Sequence, residues 1–360
     1  MTITKTLHDL GQSLWLDNIT REMLDNGTLR RYIDTLSITG LTSNPTIFDE
    51  AIGNTSAYDG GIRKKAEAGL KGEELFVELA LEDLRRAADL FRPEFERTSG
   101  IDGWVSMEVS PLLANDTKTT IDAAMRIHKQ AGRPNLYIKI PGTPAGVPAI
   151  EEAIFAGVPV NVTLLFSREH YIQVADAYMR GIERRIGAGL DPRISSVASL
   201  FVSRWDRAVA DRAPPELRNR LGIAIACRAY RAHNELLESK RWRDLEMAGA
   251  RKQRMLWAST GTKDPKAPPT LYVDALAAPD TVDTMPEKTL LAFAAGGTVG
   301  STMAKDGGDA EQVLARFADA GIDVDALAAR LQVEGAESFV KSWRELMKRI
   351  EEKSAALATS

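Results

Sequence analysis

Lys139 stands in the run Asn135-Leu-Tyr-Ile-Lys-Ile-Pro-Gly-Thr143, which begins after Arg133-Pro134 and stops at Pro141-Gly142. Its shortness, its β-branched residues and its flanking breakers predict one buried strand. Alternation along that strand puts Tyr137 and Lys139 on one side, with Ile138 and Ile140 on the other. A buried ammonium is costly unless it is paired or has given up its proton, and a lysine with a lowered pKa attacks carbonyl carbon to begin Schiff-base chemistry. Taken alone, the strand fits a plainer role better: a packed stem whose head reaches water.

Other strands change that balance. Trp15 and Asp17 share a face of Ser13-Leu-Trp-Leu-Asp17, as do Thr42 and Asn44 in Ser37-Ile-Thr-Gly-Leu-Thr-Ser-Asn-Pro45. In the next strands Ser106 pairs with Glu108, Asn161 with Thr163, Ser199 with Phe201, and Trp257 with Ser259. Each polar member lies toward the C-terminal end of its strand. Core packing explains this poorly, because an unsatisfied buried polar group costs about 1–3 kcal/mol. One lysine, two carboxylates, a threonine and several amides compose a Schiff-base site with proton shuttles. His8, His128, His170 and His233 fall on expected helices or the N-terminal arm, and no pair has ligand spacing. That disfavours zinc-dependent aldol chemistry and a Ser-His-Asp hydrolase, so neither a metal nor a cofactor is expected.

These residues need elements to hold them. Thr20 is expected to cap a helix over Arg21–Leu36, with Gly27 a weak point inside it. A helical stretch to about Phe95 is interrupted near Gly53–Gly61 and Gly69–Gly72. Strands at Gly103–Pro111, Asn135–Thr143, Val158–Phe166, Ile194–Val202 and Met255–Ser259 alternate with helices at Thr117–Ala131, Ala145–Ala156 and from Ser167 to about Arg185. Ser203 to about Lys252 reads as helical with a joint at Pro214-Pro215, and the helix Thr270–Ala277 precedes a weak eighth strand, Thr281–Met285. About eight strand–helix alternations predict a parallel sheet closed into a (β/α)8 TIM barrel. An open doubly wound sheet fits less well, since no Gly-rich turn follows the Asp17 strand. Residues 1–360 are expected to form a single barrel domain, with 287–360 a helical C-terminal extension jointed at Gly296–Gly300.

Composition sets the outer limits. Of the 360 residues 44% are hydrophobic, enough for a sizeable core. A net charge of -4 gives no support for nucleic-acid or anionic-membrane binding. The single cysteine, Cys227, cannot form an internal disulfide and fits a reducing compartment. Met1-Thr-Ile-Thr-Lys-Thr-Leu-His8 lacks a signal-peptide apolar region, and no stretch could span a bilayer, so a cytoplasmic location is expected. A homo-oligomer is compatible with the sequence.

Several motifs, in order, resemble those of the transaldolases, which are (β/α)8 class I aldolases. Gly40-Leu-Thr-Ser-Asn-Pro-Thr46 resembles the family's first signature, and Tyr137-Ile-Lys-Ile-Pro-Gly-Thr143, followed by Gly146, its Schiff-base strand. Asn161-Val-Thr-Leu-Leu-Phe-Ser167 and Ser199-Leu-Phe-Val-Ser-Arg204 match later strands, and Asp17 and Glu108 stand at the two acid positions. The resemblance implies metal-independent transfer, in the pentose phosphate pathway, of a dihydroxyacetone unit between sugar phosphates. The donor is sedoheptulose 7-phosphate or fructose 6-phosphate, and the acceptor is glyceraldehyde 3-phosphate or erythrose 4-phosphate. It implies Lys139 as nucleophile, Glu108 and Thr163 as handlers of a proton-carrying water, and Asp17 as the acid–base at the C4 hydroxyl. Asn44, Asn161 and Ser199 would hold hydroxyls, Phe201 would border the donor site, and Arg204 would meet the phosphate, aided by helix-terminal N–H groups. Outside that context Arg204 reads as a surface arginine paired with Asp206 or a neighbouring acid. Many family members carry Ser-x-Arg at the seventh strand. Here Ser259-Thr-Gly-Thr-Lys263 keeps the serine but lacks the arginine, leaving Lys263 as the nearest cation. Glu108, Phe201 and the extra helices separate the chain from the shorter fructose 6-phosphate aldolases, which release free dihydroxyacetone. A non-catalytic sugar-phosphate-binding barrel is the alternative of another class.

Overall fold

The eight short runs form β1 (Ser13–Asp17), β2 (Ile38–Thr42), β3 (Trp104–Glu108), β4 (Leu136–Pro141), β5 (Val160–Leu165), β6 (Ser196–Phe201), β7 (Gln253–Ala258) and β8 (Val282–Met285). This is a computed structural model, and it describes residues 2–358. Met1, Thr359 and Ser360, the ends of the expected 1–360 domain, lie outside the described residues. All strands run parallel in the order β1 to β8, and β8 pairs with β1, so the sheet closes as a (β/α)8 barrel. Outward-facing side chains such as Ile138, Ile140 and Val162 pack beneath the helices, fully buried.

The helices fall largely where the caps and breakers predict. Thr20 caps Arg21–Asp25 through a bond from Met23 N, and the expected Arg21–Leu36 helix divides at Gly27 before Thr28–Leu36. The stretch after β2 separates into Pro45–Asn54, Asp59–Glu67 and Gly72–Arg97. The stretch after β6 separates into Ser203–Val209, Leu221–Leu237 and Lys240–Met247. A helix over Ile3–Asp9, capped by Thr2, was not expected and precedes β1. The chain ends in helices Glu287–Gly296, Ala310–Asp319 and Val324–Ala358, the last running beside Pro45–Asn54 and the end of β5. Gly146 opens the helix after β4 so close to the strand that a Cβ there would lie 1.9 Å from Pro141 O. No side chain fits, and that helix is thereby fixed against the end of the Lys139 strand. Among the described residues no helix is long and apolar enough to cross a membrane.

The barrel interior is layered. Trp15, Trp104 and Tyr137 fill its lower part, with Trp104 and Tyr137 stacked at 4.0 Å. Below them Ser13 and Trp15 donate to Asp102, and Arg254 donates to Ser13 Oγ and Thr281 O at 2.7 Å each. Arg254 also donates to Ile101 O and Asp280 O, and its Nε lies 3.9 Å from Asp280 Oδ1, so the buried guanidinium is both hydrogen-bonded and near a carboxylate. The upper end is left to polar side chains.

Buried acids also lie outside this interior, Asp283 among them. Asp283 on β8 is inaccessible, accepts from Thr260 Oγ1 at 2.8 Å, and has an Oδ2 without a hydrogen-bond partner among the described residues. Burial pushes its carboxyl up to about 7 from 3.8. Between those values the native chain holds a proton that the unfolded chain has released, so stability falls as pH rises through that interval. At about 1.4 kcal/mol per unit, the loss is on the order of 4 kcal/mol. Asp283→Asn, which keeps the acceptor for Thr260, is expected to flatten this dependence in denaturant unfolding at pH 5 and pH 8. Equal pH dependence in the two proteins would show that Asp283 is not its source.

Candidate active site

Lys139 and Glu108 are register partners on β4 and β3, each 7% exposed. Lys139 Nζ lies 2.5 Å from Glu108 Oε1 and donates to Ser43 O at 3.0 Å. Ser43 is held in turn, since its hydroxyl donates to Ser106 O at 2.9 Å. The amine is therefore pinned between a carboxylate and a backbone carbonyl at the barrel's C-terminal end. Burial raises the Glu108 carboxyl above the ordinary glutamate range, against the opposing pull of the Lys139 charge. A carboxylate made more basic and touching an amine is placed to receive its proton.

Asp17 ends β1 on the opposite side of the mouth. Thr42 Oγ1 is 2.7 Å from both Asp17 Oδ1, to which it donates, and Thr284 Oγ1. Burial raises the Asp17 carboxyl, while the Lys139 charge, bonds from Thr42 and Asn44, and the Lys263 charge hold it down. Asn44 also caps the helix Pro45–Asn54 by accepting from Ile47 N at 3.1 Å. Its orientation is thus set by local chain geometry. Thr42 and Thr284 are site residues that the sequence reading did not single out. Alternation placed Thr42 beside Asn44, but Thr284 lies on the weakest strand.

A cavity of about 150 Å³ opens between these groups, lined by Asp17, Asn44, Lys139, Thr163, Ser199 and Arg204 among others. A second space of about 10 Å³ lies behind Lys139, lined by Glu108, Thr163, Pro141 and Phe339. That is close to the room one water needs, and Thr163 Oγ1 beside it is a buried hydroxyl without a partner among the described residues. Ser199 Oγ donates to Asn161 Oδ1 at 2.7 Å, and Asn161 Nδ2 donates to Ser106 Oγ at 3.1 Å. Asn161 is fully buried under the floor, so the structure shows it orienting Ser199.

The far wall is built from β6 and β7. Phe201, Arg204, Ser259 and Lys263 all line the larger cavity. β7 ends at Ala258, and Ser259 adopts φ +57, so alternation fails there. Trp257 packs outward against Tyr230, and Ser259 reaches the cavity through this left-handed turn and not by sharing Trp257's face. Ser259 is clamped by Ser203, whose N–H donates to Ser259 O at 3.0 Å and whose hydroxyl lies 2.9 Å from Ser259 Oγ. One amide at the start of the short helix Ser203–Val209 is therefore already engaged. Asp206 does not pair with Arg204. Its carboxylate accepts from Leu221 N, Gly222 N and Tyr272 Oη at 2.9–3.1 Å. Among the described residues Arg204 forms no ion pair, and its guanidinium lies over the rings of Phe201 and Phe339 at 5.1 and 5.9 Å.

The histidines stand apart from these groups. His233 is buried with its Nδ1 2.7 Å from Tyr171 Oη, and burial pushes it down to about 4. Among the described residues no three His, Cys, Asp or Glu side chains are grouped to hold a metal ion. The arrangement supplies an amine, two basic carboxylates near it, a water-sized recess and a cationic wall. Such a set suits imine formation followed by proton-coupled carbon–carbon cleavage.

Comparison with known proteins gives a consistent result. The sequence profile of the Transaldolase/Fructose-6-phosphate aldolase family matches residues 14–350. A protein of Thermobifida fusca named Transaldolase is 45% identical, over 97% of this chain and 98% of its own length. Another Transaldolase, from Saccharopolyspora erythraea, is 44% identical over 97% of this chain and 96% of its own. Transaldolase 2 of Nostoc punctiforme is 40% identical with the same coverage, 97% and 96%.

Proposed function

Since the chain belongs to the transaldolase/fructose-6-phosphate aldolase family, we propose that it is a transaldolase in which Lys139 carries the transferred unit as a Schiff base. The observation that carries the site assignment is the buried Lys139–Glu108 contact of 2.5 Å beside a cavity that also presents Asp17. In this reading Nζ attacks C2 of a ketose phosphate such as fructose 6-phosphate or sedoheptulose 7-phosphate. Glu108 and Thr163 handle the water that leaves as carbinolamine becomes imine, in the small recess behind the lysine. Asp17 then takes the C4 hydroxyl proton, the C3–C4 bond breaks, and its electron pair enters the imine to give an enamine. An aldose phosphate, glyceraldehyde 3-phosphate or erythrose 4-phosphate, departs. The enamine adds to the aldehyde carbon of the incoming acceptor, Asp17 returns the proton, and water releases the new ketose. Asn44 and Ser199 hold hydroxyls of the three-carbon unit, with Asn161 supporting Ser199 from below. Arg204 takes the distal phosphate with Ser259 and Lys263 on the same wall. A guanidinium that forms no ion pair among the described residues is suited to a dianion such as a phosphate.

The imine acts as the electron sink, so the reaction needs no metal. Purified protein given fructose 6-phosphate and erythrose 4-phosphate in EDTA is expected to form sedoheptulose 7-phosphate. Free dihydroxyacetone as the main product would assign it to aldol cleavage without transfer. Activity lost in EDTA and restored by zinc or magnesium would contradict the Schiff-base mechanism.

A further inference from the structure

The C-terminal helix Val324–Ala358 presents Gln332, Gly335, Ala336 and Phe339 at the spacing of one helical face, and that face meets the mouth of the barrel. Gln332 Nε2 donates to Gly142 O and Leu164 O at 3.0 Å each. Those carbonyls lie at the ends of β4 and β5, the strands that carry Lys139 and Thr163. Phe339 lines both cavities and lies 6.5 Å from Phe201, with the rings inclined at 63°. Arg204 lies over both rings. Gly335 is buried, and a Cβ on it would stand 3.2 Å from Arg204 Nη1 and 3.0 Å from Leu164 Cδ2. The helix backbone thus backs directly onto the guanidinium. Farther along, Thr46–Ser342 at 3.0 Å, Arg349–Asp49 at 2.6 Å and Lys353–Asp59 at 2.7 Å tie the helix to the segments that follow β2.

We propose that this helix is the positioning element of the phosphate end, with Gly335 and Phe339 setting where the Arg204 guanidinium stands. The proposal rests on the reading of Arg204 as the phosphate ligand. Among the described residues Arg204 has no ion pair to fix its rotamer, and the carboxylate charge acting on it is the more distant one of Glu334 on this helix, so packing must do so. Two aromatic faces and a side-chain-free stretch of helix provide a slot of suitable shape. A residue of ordinary helix preference at 335 would favour the helix itself, since glycine in a helix interior is less favourable than alanine. The close approach to Arg204 and Leu164 gives glycine a purpose there.

The test compares wild type, Arg204→Ala, Gly335→Ala and Phe339→Leu. For each, KM and kcat with fructose 6-phosphate and the inhibition constant of inorganic phosphate are measured, with thermal melting as a check on folding. Arg204→Ala is expected to raise KM and the phosphate inhibition constant together by about tenfold or more, as loss of a charge-assisted contact would. Gly335→Ala should move both constants the same way by about 3- to 10-fold, with the loss falling on KM more than on kcat. Phe339→Leu, which keeps an apolar side chain but removes the ring, should also weaken phosphate. If Arg204→Ala weakens phosphate while Gly335→Ala and Phe339→Leu retain wild-type constants, the positioning role of the helix is refuted and the reading of Arg204 stands. If Arg204→Ala itself leaves phosphate inhibition unchanged, the reading of Arg204 fails and the proposal falls with it.

Discussion

Asp17→Asn is expected to lower kcat for transfer by about 10²–10⁴, the usual contribution of a positioned general acid–base. The amide preserves an acceptor for the 2.7 Å bond from Thr42 but cannot take the C4 hydroxyl proton. Carbon–carbon cleavage should stall while imine formation at Lys139 continues, so borohydride trapping should remain faster than product release. The pH dependence has a definite sign. Burial raises Asp17, and the base is active only when ionised, so activity should fall on the acid side at a higher pH than an ordinary aspartate would give. Asparagine should abolish that limb. A variant within tenfold of wild type would mean that another group removes the proton.

Glu108→Gln should cause a loss of the same order, about 10²–10⁴, but at an earlier step. Glu108 touches the amine at 2.5 Å and borders the water-sized recess shared with Thr163. Glutamine fills the same space and cannot accept the amine's proton or pass one to the departing hydroxyl. Rapid-quench trapping with borohydride and fructose 6-phosphate should therefore show slower imine formation in this variant and near-normal imine formation in Asp17→Asn. Equal trapping rates in wild type and Glu108→Gln would remove Glu108 from the imine step.

The two acids were legible in the sequence for a simple reason. Strand alternation is a short-range rule, and β1, β3 and β4 are regular to their last residues, so Asp17, Glu108 and Lys139 fall on the inner face as counted. The same rule misled at β7, because Ser259 lies beyond the strand in a left-handed conformation that no alternation predicts. It was incomplete at Asn161, whose inward face is correct but whose depth is set by barrel stagger, which places it beneath Ser199. Thr284 was hidden by the brevity of β8. Gln332, Gly335 and Phe339 could be read as one face of a long helix, but not as a face opposite Arg204. That contact depends on how a segment more than a hundred residues distant crosses the barrel, which local pattern does not encode.

The identity of the nucleophile is the claim on which the mechanism depends. The direct measurement is peptide mass spectrometry of the protein after borohydride reduction in the presence of fructose 6-phosphate. A reduced three-carbon adduct on Lys139, and on no other lysine, is the expected result. An adduct on a different lysine, or none while transfer activity is intact, would contradict it.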